Sequence, residues 1–80
     1  MTVTVRLFAS YAESLGKSEL SLDLGANATV ADVVKAIAAM PGASRLPPAP
    51  LVAVNCSYAV TTTSLSDGDE IAFIPPVAGG

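Results

Sequence analysis

No histidine occurs anywhere in the chain, and Cys56 is its single cysteine. Without histidine, and with one isolated thiol, the common zinc and iron donor sets and the usual nucleophile–base pairs lack the residues to build them. One cysteine excludes an internal disulfide, which agrees with a reducing compartment. Basic residues are almost as scarce: Arg6, Lys17, Lys35 and Arg45 are scattered, and the net charge is −3. No basic patch is available to neutralise phosphates, so nucleic-acid binding is disfavoured. Apolar runs stay far short of the roughly 20 residues of a membrane span. The opening Met1-Thr2-Val3-Thr4-Val5-Arg6 lacks the basic start and apolar stretch of a secretory signal. We expect a cytoplasmic protein with neither nucleic acid nor membrane as a partner, and not an enzyme on its own.

What the chain does have is short alternating apolar runs, enough for one domain in 80 residues. Val3, Val5 and Leu7 alternate with Thr4, Arg6 and Phe8, and Leu20, Leu22 and Leu24 alternate with Ser21 and Asp23, the period of a strand with one buried face. The stretch from Ser10 to Lys17 is short and carries Gly16, so these strands are expected to pair as a hairpin with an irregular connection. Val30, Val33, Val34 and Ile37 then follow the helical spacing, opened by a Thr29/Asp32 capping box and closed by Pro41-Gly42. Pro41 to Pro50 reads as a loop. Strand character returns at Leu51–Val54, at a short Tyr58–Val60 run and, after the Asp67-Gly68-Asp69 turn, at Glu70–Ile74. The order ββαβ(β)β predicts an α+β domain over residues 1–74: a mixed sheet of four to five strands with one main helix across one face. A parallel join through the helix to Leu51–Val54 is expected, with strand neighbours open.

The richest signal is the closing segment, Pro75-Pro76-Val77-Ala78-Gly79-Gly80. Two prolines fix φ and favour an extended exit from the last strand. At about 3.1 Å per residue the arm would reach on the order of 15–19 Å. Glycines 79 and 80 leave a bare main-chain carboxylate able to enter a slot too narrow for any Cβ. A terminal carboxylate is ionised at neutral pH and is a poor acyl electrophile, so it needs activation before anything is attached to it. No lysine or histidine lies near the tail in sequence, so the activating groups are expected in trans.

With this element order, Asp67-Gly68-Asp69-Glu70-Ile71-Ala72-Phe73 and the Pro-Pro-Val-Ala-Gly-Gly ending, the whole chain resembles the ubiquitin-like, β-grasp MoaD family, the small sulfur-carrier subunits of molybdopterin synthase. The resemblance also rests on Leu7-Phe8-Ala9, Thr29-Val30-Ala31-Asp32 and Val54-Asn55. It implies a carrier cycle. A ubiquitin-activating-type enzyme would adenylate the Gly80 carboxylate with ATP, and a sulfur donor would convert the adenylate to a thiocarboxylate. The large synthase subunit would then take that sulfur to cyclic pyranopterin monophosphate. It further implies a dimer of heterodimers and no permanently bound cofactor, with Gly79, Ala78, Val77, Pro76 and Pro75 as the inserted tail.

Phe8 and Ile74 fall out of phase with the core residues of their strands, and Tyr58 sits in a strand too short to phase. Apolar side chains on an otherwise polar face point to a partner surface, and the resemblance places the large subunit there. Asp67, Asp69 and Glu70 read as a solvated acidic turn rather than a metal site, Glu13 and Glu19 face water, and Cys56 has no adjacent base to make it a sulfur relay. Competing functions are a thiamine-thiazole-type sulfur carrier, a ubiquitin-like modifier of lysines and an interaction domain whose tail is unused.

Overall fold

Alternation decides which side of each strand is dry, and in the computed structural model, which describes residues 1–42 and 51–74, it does so as the pattern requires. Strand β1 (Thr2–Leu7) buries Val3, Val5 and Leu7, and β5 (Glu70–Ile74) buries Ile71 and Phe73 on the same side. Strands β1 and β2 (Glu19–Asp23) pair antiparallel as expected, and the irregular connection between them contains a six-residue helix, α1 (Ser10–Leu15), that the pattern did not disclose. No side chain caps α1, and it starts from Ala9 at φ 46°, so the usual capping signal is missing. Gly16, at φ 73°, closes it, its N–H donating to the Ala12 carbonyl at 2.9 Å. Tyr11, buried by this helix, meets the Phe73 ring edge-on, with centroids 5.8 Å apart and planes at 88°. That burial pushes the Tyr11 phenol above its ordinary pKa.

Helix α2 (Val30–Ala38) lays Val30, Val33 and Ile37 on the core, with Val34 only half-buried at its margin. The Asp32 carboxylate accepts the Thr29 N–H at 2.8 Å, and the Val30 and Ala31 N–H groups donate to the Thr63 and Thr61 carbonyls, so the first turn is well satisfied. The chain leaves α2 through Gly42 at φ 89°, where a Cβ would collide with the Ser14 carbonyl oxygen. Glycine therefore packs the end of α2 against α1. Residues 43–50, including most of the expected proline loop, lie outside the described residues.

Strands β3 (Leu51–Val54) and β4 (Ser57–Ala59) complete a five-stranded sheet in the order β2-β1-β5-β3-β4. The parallel neighbours are β1 and β5, with Val5 opposite Ile71 and Leu7 opposite Phe73. Every other adjacent pair is antiparallel. The path through α2 runs from β2 to β3, which share a direction but are separated by β1 and β5. The last strand is thus inserted at the centre of the sheet, a feature the order of elements leaves open.

Candidate functional site

The side of the sheet facing away from α2 carries the candidate site. Three of its positions in β5 are Glu70, Ala72 and Ile74, the alternates to buried Ile71 and Phe73. Register carries each across the sheet. Ile74 stands opposite Leu51, and one step beyond the Leu7–Phe73 and Val52–Ala59 pairs it is flanked in the same row by Phe8 and Val60. The next row reads Arg6, Ala72, Ala53, Tyr58. Two small alanines stand in that row, and four bulky apolar groups around them are exposed to solvent: Phe8 at 46% exposure, Leu51 at 41%, Val60 at 66% and Tyr58 at 77%.

A polar border limits this apolar field. Arg6 Nε lies 3.4 Å from Glu70 Oε2, both half-exposed, a pair worth little energetically but able to fix side-chain direction. Asn55 accepts the Glu70 N–H at its Oδ1 (3.0 Å) and donates from Nδ2 to Asp69 (3.0 Å). Asp69 also accepts the Ser66 N–H at 2.8 Å, and Asp67 the Thr2 N–H at 2.7 Å. The acidic turn is therefore occupied in holding its own loop beside β1 and β3. Among the described residues no group of three or more potential metal ligands is brought together. Asn55 and Cys56 form the tight β3–β4 turn with positive φ at both positions (49° and 72°), the geometry of a type I′ turn. The Cys56 thiol is exposed there. Glu13 and Glu19 are exposed as well.

Phe8 and Tyr58 do stand exposed, and Ile74, out of phase with Ile71 and Phe73, lies on the same open side beside Leu51, where it is half-buried. Sequence reasoning missed Leu51 and Val60. In Leu51-Val52-Ala53-Val54 every residue is apolar, so no alternation reveals which side each faces. Only the pairing of Leu51 with Ile74 does. The tail residues Pro75, Pro76, Val77, Ala78, Gly79 and Gly80 lie outside the described residues. The described chain ends at Ile74, in the row holding Phe8, Leu51 and Val60, so the apolar field borders the point where the tail begins.

The architecture is that of a ubiquitin-like β-grasp domain, and solved structures of that class superpose on it along their full length. SAMP1 from Haloferax volcanii does so with a TM-score of 0.84 and 30% identity, each chain covered completely. A putative molybdopterin converting factor, subunit 1, from Pyrococcus furiosus gives the same TM-score at 25% identity, with 96% of this chain and 99% of that one covered. The profile of the ThiS family matches residues 5–80, and the chain belongs to that family. Among curated proteins it is similar to the molybdopterin synthase sulfur carrier subunit of Chlamydomonas reinhardtii, 35% identical with both chains fully covered. No described helix is long and apolar enough to cross a membrane.

Proposed function

We propose that the protein is the sulfur-carrier subunit of a molybdopterin synthase and that its outer sheet face docks the large subunit. The observation that carries this reading is the exposed row Phe8, Leu51 and Val60 around Ile74, placed where the chain enters Pro75-Pro76-Val77-Ala78-Gly79-Gly80. Exposed apolar area of this kind favours burial against a partner. A platform beside the arm would fix where the arm enters, turning docking into positioning of the reactive carbon. Similarity to a named sulfur carrier subunit over the full chain supports the same conclusion.

In the proposed cycle the Gly80 carboxylate attacks the α-phosphate of ATP in an adenylating enzyme, releasing pyrophosphate and leaving an acyl-adenylate. A sulfide-level donor then displaces AMP to give the thiocarboxylate, which surrenders its sulfur to cyclic pyranopterin monophosphate in the large subunit. This chain supplies the end group and its presentation; the acid–base groups come from its partners. A deletion of Gly80 should abolish both thiocarboxylate formation, read by intact mass after incubation with ATP, activating enzyme and donor, and molybdopterin synthesis with the large subunit. Synthesis at the parental rate by that variant would refute the carrier mechanism.

A second reading, ubiquitin-like modification of lysines, is favoured by the similarity to SAMP1, a small archaeal modifier protein. Intact mass of the protein taken from its native cell separates the two: a thiocarboxylate replaces one oxygen by sulfur, whereas conjugation yields a far heavier adduct.

A further inference from the structure

The sheet has a second surface ready for a partner along its β2 edge, away from Leu51, Tyr58 and Val60. Met1 and Leu24 exchange both backbone hydrogen bonds (2.7 and 2.8 Å), and the Leu7 N–H donates to Ser18 at 2.9 Å. With the β1–β2 register, antiparallel alternation makes Val3–Leu22 and Val5–Leu20 the other hydrogen-bonded pairs. The N–H and C=O groups of Glu19, Ser21 and Asp23 therefore point away from β1. Strand β2 is the edge of the sheet, and among the described residues no backbone group bonds to those outward groups. The other edge, β4, is only three residues long.

Beside the end of β2 and against α2 lies an open groove of about 540 Å³, to which Leu24, Ala28, Ala36 and Ala39 contribute apolar surface, Lys35 a cation and Asp23 and Asp32 carboxylates. On the same side of the sheet Leu20 and Leu22 are only half-buried, although they point toward the core. The edge thus offers a backbone template and an apolar strip next to it, the two components of recognition by strand addition. On the outer side Glu19 and Asp23 flank Ser21. Those charges decide the occupant. A second copy paired antiparallel about Ser21 would set Glu19 against Asp23 twice, an arrangement that like charges disfavour. An extended segment alternating basic and apolar residues would instead place its cations beside Glu19 and Asp23 and its apolar side chains by Leu20, Leu22 and the groove. Because side chains alternate with period two, either strand direction allows this.

We propose that β2 and the groove beside α2 form a strand-addition site for an extended, alternating basic–apolar segment of another protein. The site reaches the outer side only along the β2 edge, so one protein can hold the carrier at β2 while another engages Phe8, Leu51 and Tyr58.

The test is an NMR titration of the full chain with an octapeptide of alternating lysine and valine, against an alternating glutamate–valine peptide and a blocked tetralysine–tetravaline one. Saturable shifts are expected at Glu19–Asp23 and at Ala36 and Ala39, with the Phe8 and Tyr58 amides unmoved and the two control peptides at least tenfold weaker. Ser21→Pro removes an outward N–H, which an edge position tolerates, and should weaken binding at least tenfold. Ala39→Lys, at the exposed C-cap of α2, should do the same and serves if the proline variant fails to fold. Equal binding of the glutamate peptide, shifts centred on Phe8 and Tyr58, or undiminished binding by the folded variants would each overturn the proposal. So would β2 shifts that follow protein concentration without peptide, which would make a second copy the occupant.

Discussion

On the α2 side of the sheet Val3, Val5, Ile71 and Phe73 are shut in the core, whereas one residue along the same or neighbouring strands Phe8, Leu51 and Tyr58 stand in solvent. The residue types on the two sides overlap; the cover does not. Helix α2 with its one apolar stripe and the short α1, which contributes Tyr11, both pack on one side of the five-stranded sheet and close only that side. A chain of this size, burying only about 60–65% of its potential surface, has nothing left among the described elements to close the other. Apolar groups on the uncovered side cost little in the free protein and become useful when another protein supplies the missing layer. The comparison therefore separates residues that hold the fold from residues that engage a partner, and each prediction below presses on that separation.

The largest effect should come from Phe73→Ala. This ring is buried against Tyr11, and its removal leaves a cavity at the centre of the sheet, where β5 sits between β1 and β3. Truncations of this kind cost about 3–5 kcal/mol, a large part of the stability such a domain has. Ile37→Ala, on the α2 stripe, should cost about 2–5 kcal/mol. Denaturant midpoints measure both. An unchanged midpoint for either would mean that the helix side does not carry the fold.

Smaller is the expected effect of Asp32→Ala, which removes the carboxylate accepting the Thr29 N–H without touching either face of the sheet. A loss of about 0.3–1.5 kcal/mol is expected, read from the same denaturation curves. A cost as large as that of Phe73→Ala would mean that α2 depends more on its cap than on its packing, and the contrast between covered and uncovered sides would lose its energetic basis.

How far the sequence disclosed this division depends on the local pattern. Strands β1 and β5 alternate cleanly, and α2 carries both its stripe and its capping pair, so element type, buried side and helix start were all legible. Helix α1 was not, because its six residues have no side-chain cap and too few turns for a periodic signal. Nor was the insertion of β5 between β1 and β3, since pairing between distant strands leaves no local trace. The site was half legible for the same reason. Phe8 and Ile74 break an alternation and so declare themselves, while Leu51 sits in a uniformly apolar run and Val60 just past a three-residue strand.

The smallest effect on stability, and the one that decides the comparison, is expected at Tyr58. At 77% exposure its side chain loses little water on folding, so Tyr58→Asp should shift stability by no more than about 0.5 kcal/mol. The same change places a charge in the row Arg6, Ala72, Ala53, Tyr58. Leu51→Asp places one in the neighbouring row, beside Ile74 and at a less exposed position, and serves as the stricter case. Against a large subunit docked on this side, each new carboxylate would be desolvated without a dedicated partner, and binding should weaken by at least tenfold. Calorimetric titration of the large subunit against the parent and both variants, alongside their denaturation midpoints, measures the two quantities together. If Tyr58→Asp lowers the midpoint as much as Ile37→Ala does, the outer side belongs to the fold after all. If both variants keep the parental affinity, the uncovered side is not where the partner sits.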